Sequence, residues 1–213
     1  CDSDAVFPHF AGGAASAEEA TKVIHSAGDM AAAAASVKQI YEADYLNDFV
    51  YHAQLEPLNA VASVSQGGKK AELWIGSQFP SGLRAEVAQL LKTPIDNITI
   101  HPRYLGGGFG RRSWHDFGTE AVLLAKMSGV PVKLIWSRED DFQYGAFRPA
   151  VLQRLTAGVD ANGDILSWSH RAVGDGFQLV ASGAAIPFYD IPNQQIDFCQ
   201  QNTSIRTKHW RSV

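Results

Sequence analysis

Ile98-Thr99-Ile100-His101 leads, a few residues later, into Leu105-Gly106-Gly107-Gly108-Phe109-Gly110-Arg111-Arg112, and then into Phe117, Ala121, Leu124 and Ala125, which repeat at helical spacing until Gly129 and Pro131. Residues 98–101 read as a strand, and the later repeat reads as a helix that Gly and Pro stop. The glycine run therefore joins a strand to a helix. Four glycines in the five residues 106–110 cannot hold a regular strand cheaply, so an irregular loop is expected there. Such a loop can turn sharply and bring backbone N–H groups against an anionic ligand. A purely structural turn is the alternative. A dinucleotide loop is disfavoured, because the spacing Gly-x-Gly-x-x-Gly is not met.

Upstream of this stretch, Leu58, Ala60, Ala62 and Val64 fall on one face of an extended segment, opposite Asn59, Val61, Ser63 and Ser65. The alternation predicts a half-buried strand, with another at residues 71–75. Ser81 is placed to cap a helix whose Leu83, Val87, Leu90 and Leu91 share a face, and Pro94 ends it. Downstream, residues 132–136 predict a strand, and Arg138, Glu139, Asp140 and Asp141 the start of a solvated helix. Residues 150–160 and 164–173 predict a hairpin turned at Asn162-Gly163. Before all of these, residues 1–36 are rich in Ala and Gly, and Ser16 with Glu19 has capping-box spacing for a helix reaching about His25. Residues 1–36 are read as a helical or linker segment and 37–213 as part of one larger domain. Strands alternating with helices, followed by a hairpin, predict an α+β fold with mixed sheets covered by helices.

The net charge of −4 and pI near 6.0 give no basic field for a nucleic-acid backbone, which excludes that class of partner. No apolar run approaches the roughly 20 residues of a membrane span, and the first residues lack a basic segment followed by an apolar core. An iron–sulfur cluster takes about four thiolates. Cys1 and Cys199 are the only cysteines, so any cluster belongs to a partner. Whether the two form a disulfide is not legible from sequence. His101, His115, His170 and His209 show no zinc spacing, and the i, i+4 pair His52 and Glu56 reads first as hydrogen-bonded scaffolding. No residue is assigned as a metal ligand. For Arg111 and Arg112, pairing with a phosphate and an ordinary salt bridge both remain open.

Further motifs flank the glycine run. They are His52-Ala53-Gln54-Leu55-Glu56-Pro57 and Trp74-Ile75-Gly76-Ser77-Gln78 before it, and Gly129-Val130-Pro131-Val132-Lys133, Trp136-Ser137-Arg138-Glu139-Asp140 and Arg148-Pro149 after it. Tyr189-Asp190-Ile191-Pro192-Asn193 and Trp210-Arg211-Ser212-Val213 complete the set. In this order they resemble the cofactor-binding large subunit of the molybdenum hydroxylases, the xanthine oxidase family, on its isoquinoline 1-oxidoreductase and aldehyde dehydrogenase side. The resemblance covers nearly all of residues 37–213.

It implies an oxidoreductase that hydroxylates an aldehyde or N-heterocyclic substrate with oxygen from water. The implied cofactor is a molybdopterin cytosine dinucleotide carrying molybdenum. The implied partners are a small iron–sulfur subunit, which takes the electrons, and the remainder of the large subunit. By the same resemblance, Gly107, Gly108, Phe109, Gly110 and Arg111 lie beside the metal and pterin. Arg211 is a candidate at the same site, and Gln78 approaches the nucleotide part. Trp210 and Arg211 are accordingly expected near Gly108 and Phe109.

Two departures are visible. Val50 stands where xanthine oxidase has a glutamine near the metal. The family's catalytic glutamate is expected beyond Val213, so no catalytic residue is assigned and the chain alone is expected to be inactive. The resemblance is to bacterial proteins and leaves cytoplasm and periplasm undistinguished. A non-catalytic assembly or cofactor-delivery domain and a nucleotide-binding module using the glycine loop are the competing readings.

Overall fold

The computed structural model describes residues 3–16, 21–184 and 188–210. In chain order its elements begin with α1 (Ser3–Ala15), β1 (Thr21–Ala27), α2 (Met30–Ala34), β2 (Gln39–Asn47), β3 (Val50–Tyr51), β4 (Asn59–Ser65) and β5 (Lys70–Ile75). There follow α3 (Pro80–Leu91), β6 (Ile98–Pro102), α4 (Asp116–Ser128), β7 (Val132–Ile135) and α5 (Arg138–Tyr144). The chain continues with β8 (Phe147–Arg148), β9 (Val151–Val159), β10 (Ile165–Gly174), α6 (Phe177–Val180) and β11 (Asn193–Gln200). Two compact units result, one from residues 1–50 with 148–207 and the other from 51–147 with 208–213. Each contains a mixed sheet with helices on it, which makes the fold α+β. Among the described residues no helix is long and apolar enough to cross a membrane.

The unit holding the glycine run is built on a four-stranded sheet in the order β6-β5-β4-β7, with β5 and β6 parallel and the other pairs antiparallel. Leu58, Ala60 and Ala62 do share the buried face, together with Leu73 and Ile75 of β5. Against them pack Leu83, Val87 and Leu91 of α3 and Phe117, Ala121, Val122 and Ala125 of α4. Helix α3 starts two residues earlier than the Ser81 cap predicts. Pro80 occupies its first turn and Phe79 the cap position without a side-chain bond, because proline's fixed φ already suits a helix start. In α4, Leu124 is exposed and Val122 takes the buried position instead, so the apolar stripe is rotated from the expected one.

The other unit carries a five-stranded sheet in the order β1-β11-β10-β9-β2, in which only β10 and β11 run parallel. Helix α1 lays Val6, Phe10 and Ala14 against Ala150, Leu152, Val173 and Cys199. Gln201 Nε2 donates to the buried Cys199 sulfur at 3.3 Å; Cys1 lies outside the described residues. The predicted hairpin is β9–β10, and its turn is closed by Asp160 Oδ1, which accepts from the N–H groups of Asn162 (2.8 Å) and Asp164 (3.0 Å). The helix expected to reach His25 is not formed. Residues 21–27 are strand β1, paired antiparallel with β11 some 170 residues away, and the ladder offered by that distant strand outweighs a local capping signal whose Glu19 lies outside the described residues. The helices of this region are α1, upstream of β1, and the short α2 after it.

Candidate functional site

The glycine run leaves β6 as an irregular loop and ends in a single 3-10 turn, Arg111–Ser113, before α4. Its backbone needs glycine at specific points: φ is +95° at Gly107 and +97° at Gly110, while Phe109 itself sits at +50°. At Gly108 the constraint is space, since a Cβ there would fall 2.5 Å from Gln78 Oε1. At Gly106 it would fall 2.5 Å from the Cβ of Glu56.

Side chains from distant sequence hold the two ends of this loop. Gly106 N donates to Glu56 Oε2 (2.9 Å) and Glu56 N donates to Gly106 O (3.1 Å). Gly110 N donates to Gln78 Oε1 (3.0 Å), while Gln78 N donates to Arg112 O (3.0 Å). Between these anchors, the N–H groups of Gly107, Gly108 and Phe109 have no partner among the described residues. Three successive N–H donors on a loop with left-handed residues are thereby left available to an anionic or strongly polar group. The Phe109 ring is half exposed beside them.

Beneath the loop the polar groups are buried. Arg111 and Arg112 have no exposed surface. Arg111 makes a bidentate pair with Asp116 (2.9 and 2.7 Å) and lies over the rings of Trp114 and Trp136. Arg112 donates from Nε to Gly107 O (2.9 Å) and from Nη2 to Glu56 O and Oε2 (both 2.8 Å). Burial works to raise the Glu56 carboxyl, but the Gly106 N–H, Asn59 and Arg112 outweigh it and hold it below its ordinary value. Fully buried Gln54 donates to Tyr51 Oη (3.0 Å) and to Asp141 Oδ2 (2.6 Å). Burial raises the Asp141 carboxyl against the lowering effect of Tyr51 and three arginines. The His52 ring lies between Ala146 O (3.2 Å) and His209 O (3.0 Å), and burial depresses its pKa.

The structure brings Gln78, Gly107, Gly108, Phe109, Gly110 and Arg111 together at one loop, with Gln78 directly hydrogen-bonded into it. Arg111 reaches it through a buried ion pair, its two terminal nitrogens both turned to Asp116. Arg211 lies outside the described residues. The C-terminal segment nevertheless meets the loop's exit one residue before Trp210: His209 Nε2 is 3.3 Å from Ser113 Oγ, which donates to Gly110 O, while the Trp210 ring packs near His52. Sequence reasoning missed Gln54, Asp116 and Asp141. Asp141 is fully buried, contrary to the solvated helix start expected. The Ser137–Asp140 capping box fixes where α5 begins, and that phase turns the next residue inward while leaving Glu139 exposed. Among the described residues no group of three or more His, Cys, Asp or Glu is arranged to hold a metal ion.

Residues 15–205 match the family described as molybdopterin cofactor-binding domain. The chain belongs to that family. It is 32% identical over 183 residues to the isoquinoline 1-oxidoreductase subunit beta of Brevundimonas diminuta, covering 78% of this chain and 23% of that protein. It is 36% identical over 138 residues to a membrane-bound aldehyde dehydrogenase of Gluconacetobacter polyoxogenes, covering 64% of this chain and 18% of that one. The chain thus spans less than a quarter of these curated relatives. Among solved structures, quinoline 2-oxidoreductase from Pseudomonas putida 86 matches with a TM-score of 0.80 at 21% identity, over 91% of this chain and 26% of that one. Aldehyde oxidoreductase from Desulfovibrio gigas matches at 0.73 and 20% identity, over 90% and 22%. These two likenesses show the fold. With the relatives above, the family match shows the resemblance to molybdenum hydroxylase large subunits.

Proposed function

We infer that this chain contributes part of the cofactor-site wall of a molybdenum hydroxylase, an oxidoreductase acting on an aldehyde or N-heterocyclic substrate. The observation that carries this reading is the row of N–H groups at Gly107, Gly108 and Phe109 without a partner among the described residues, set on a loop whose Gly106 and Gly108 have no room for a Cβ. A molybdopterin fits this donor set, because its polar and anionic edges need fixed donors and close backbone approach. When bound, it supplies the redox centre at which water-derived oxygen enters the substrate. The protein's task is to bind and orient. Gln78 keeps Gly110 in place and leaves its own Nε2 without a partner among the described residues, so it can donate toward the nucleotide part. Gly107, Gly108 and Phe109 present their amides, and the Phe109 ring excludes water beside them. Arg111 fixes the loop's exit through Asp116, and Arg211 joins the same set.

In this reading the cofactor is the cytosine dinucleotide form, residues 37–213 are part of the cofactor-binding domain after a leading segment 1–36, and the remainder of the large subunit completes the enclosure. Electrons pass to a small iron–sulfur subunit. The test is to purify the full-length subunit with its partner and measure molybdenum and released cytidine monophosphate. Substrates are then turned over in isotopically labelled water. The expected result is about one molybdenum and one cytidine nucleotide per large subunit, with label in the hydroxylated product. A protein without molybdenum, or a product without the label, would overturn the reading.

A further inference from the structure

Within the unit that carries the glycine loop, four buried side-chain atoms have no hydrogen-bond partner among the described residues: Gln54 Oε1, Asp141 Oδ1, Arg111 Nε and Arg112 Nη1. Buried polar atoms are rarely left unpaired, and four in one neighbourhood need an account. The side chains that bear them are already close. Gln54 donates to the other oxygen of Asp141 at 2.6 Å, and Arg112 donates to Gly107 O at 2.9 Å. A Cβ built on Gly107 would lie 3.5 Å from that of Gln54. Asp141 feels the charges of both Arg111 and Arg112.

We propose that these four atoms enclose an internal water site under the glycine loop, which ties Gln54 and Asp141 to the arginines that hold the loop. Valence selects the ligand: two acceptors and two N–H donors match the two O–H groups and two lone pairs of a water molecule. Charge excludes an ion. Arg111 is paired with Asp116, Arg112 with Glu56 and Asp141 with Arg138, so a cation would face two guanidinium groups and an anion would face two oxygens. One water, or two bonded to each other, satisfies all four atoms. The consequence is positional. Asp141 belongs to α5 and Gln54 to the segment before β4, and the water joins both to Arg112, which grips Gly107 O and Glu56. The direction of the 107–109 amides is thereby set whatever they bind, so this inference does not rest on the cofactor reading.

A crystal structure of the full-length protein, resolved well enough to order internal waters, tests the site. Water density within hydrogen-bond distance of at least three of the four atoms is expected. A dry void, an ion with anomalous signal, or protein groups filling all four bonds would overturn the proposal. Amide hydrogen exchange tests the positioning role. In Gln54→Met, which keeps the volume and removes the amide, exchange at Gly106, Gly110 and Arg111 should accelerate at least about tenfold relative to the strands. Asp141→Asn keeps a polar atom toward the water and should retain slow exchange, whereas Asp141→Leu should not. Unchanged exchange in a folded Gln54→Met would also overturn it; if that variant fails to fold, the density in the native protein decides alone.

Discussion

Two glycine turns of this chain, at 106–110 and between β9 and β10, use the same residue for opposite purposes. The β9–β10 turn closes on itself: Asp160 accepts from its own neighbours, and a Cβ on Gly163 would meet nothing within 4 Å. Gly163 is there only for its φ of +94°. The 106–110 loop is instead held by Glu56, Gln78 and Arg112, which lie 50, 32 and 5 residues from the loop residues they bond, and at Gly106 and Gly108 a Cβ would strike Glu56 and Gln78. A turn that serves only the chain's direction is locally complete. A turn that presents its own N–H groups must be braced from elsewhere.

Breaking the brace should cost most. Arg112→Ala in the full-length subunit leaves Glu56 and Gly107 O without their buried donor, and is expected to destabilise by about 3–5 kcal/mol in urea unfolding. Arg154→Ala, which breaks the surface pair with Asp44 in the other unit, is expected to cost about 1 kcal/mol or less. If the two losses were equal, the buried arginine would not be the loop's support.

Exchanging side chains at the glycines sharpens the contrast with a smaller effect. Gly106→Asn should destabilise by about 1–3 kcal/mol, because the new Cβ must displace Glu56. Gly163→Asn should stay within about 0.5 kcal/mol, since asparagine tolerates a left-handed φ and the space is open. Thermal midpoints of the two variants decide it, and similar losses at both positions would erase the distinction.

The smallest effect concerns pH. The Glu56 carboxyl is held below its ordinary 4.5, so its contribution to stability is present above that value and is lost as pH falls through the depressed folded one. Glu56→Gln should therefore flatten the acid limb of the unfolding midpoint below about pH 4.5, while lowering stability at neutral pH. An acid limb as steep as in the native protein would mean that Glu56 carries no such linkage.

Much of this contrast was legible in advance, and the reason differs by element. The hairpin turn was readable because Asp160, Asn162 and Gly163 carry their whole mechanism within five residues. Strands β4 and β5 and helix α3 were readable because burial on one face imposes a period on the sequence. The glycine loop's position was readable for the same local reason, and its resemblance to a known family named the residues around it. The brace was not readable. Gln54 and Asp141 are separated by 87 residues, and Arg138, Glu139, Asp140 and Asp141 look like a solvated run until the capping box at Ser137 fixes which acid turns inward. Strand β1 was missed because its partner β11 is contributed from the far end of the chain.

The most direct test of the account substitutes Gly108→Val and, as its counterpart, Gly163→Asn in the full-length subunit, and measures molybdenum per protein by elemental analysis. A side chain at Gly108 would press on Gln78, whose Oε1 holds Gly110 N, whereas Gly163 lies in the turn of the other unit. The account predicts that Gly108→Val folds but loses at least about nine-tenths of its molybdenum together with its turnover, roughly the factor of ten that a displacement near 1.4 kcal/mol produces, and that Gly163→Asn keeps both. Normal metal content and normal turnover in Gly108→Val would show that the glycine loop only turns the chain, and would contradict the site.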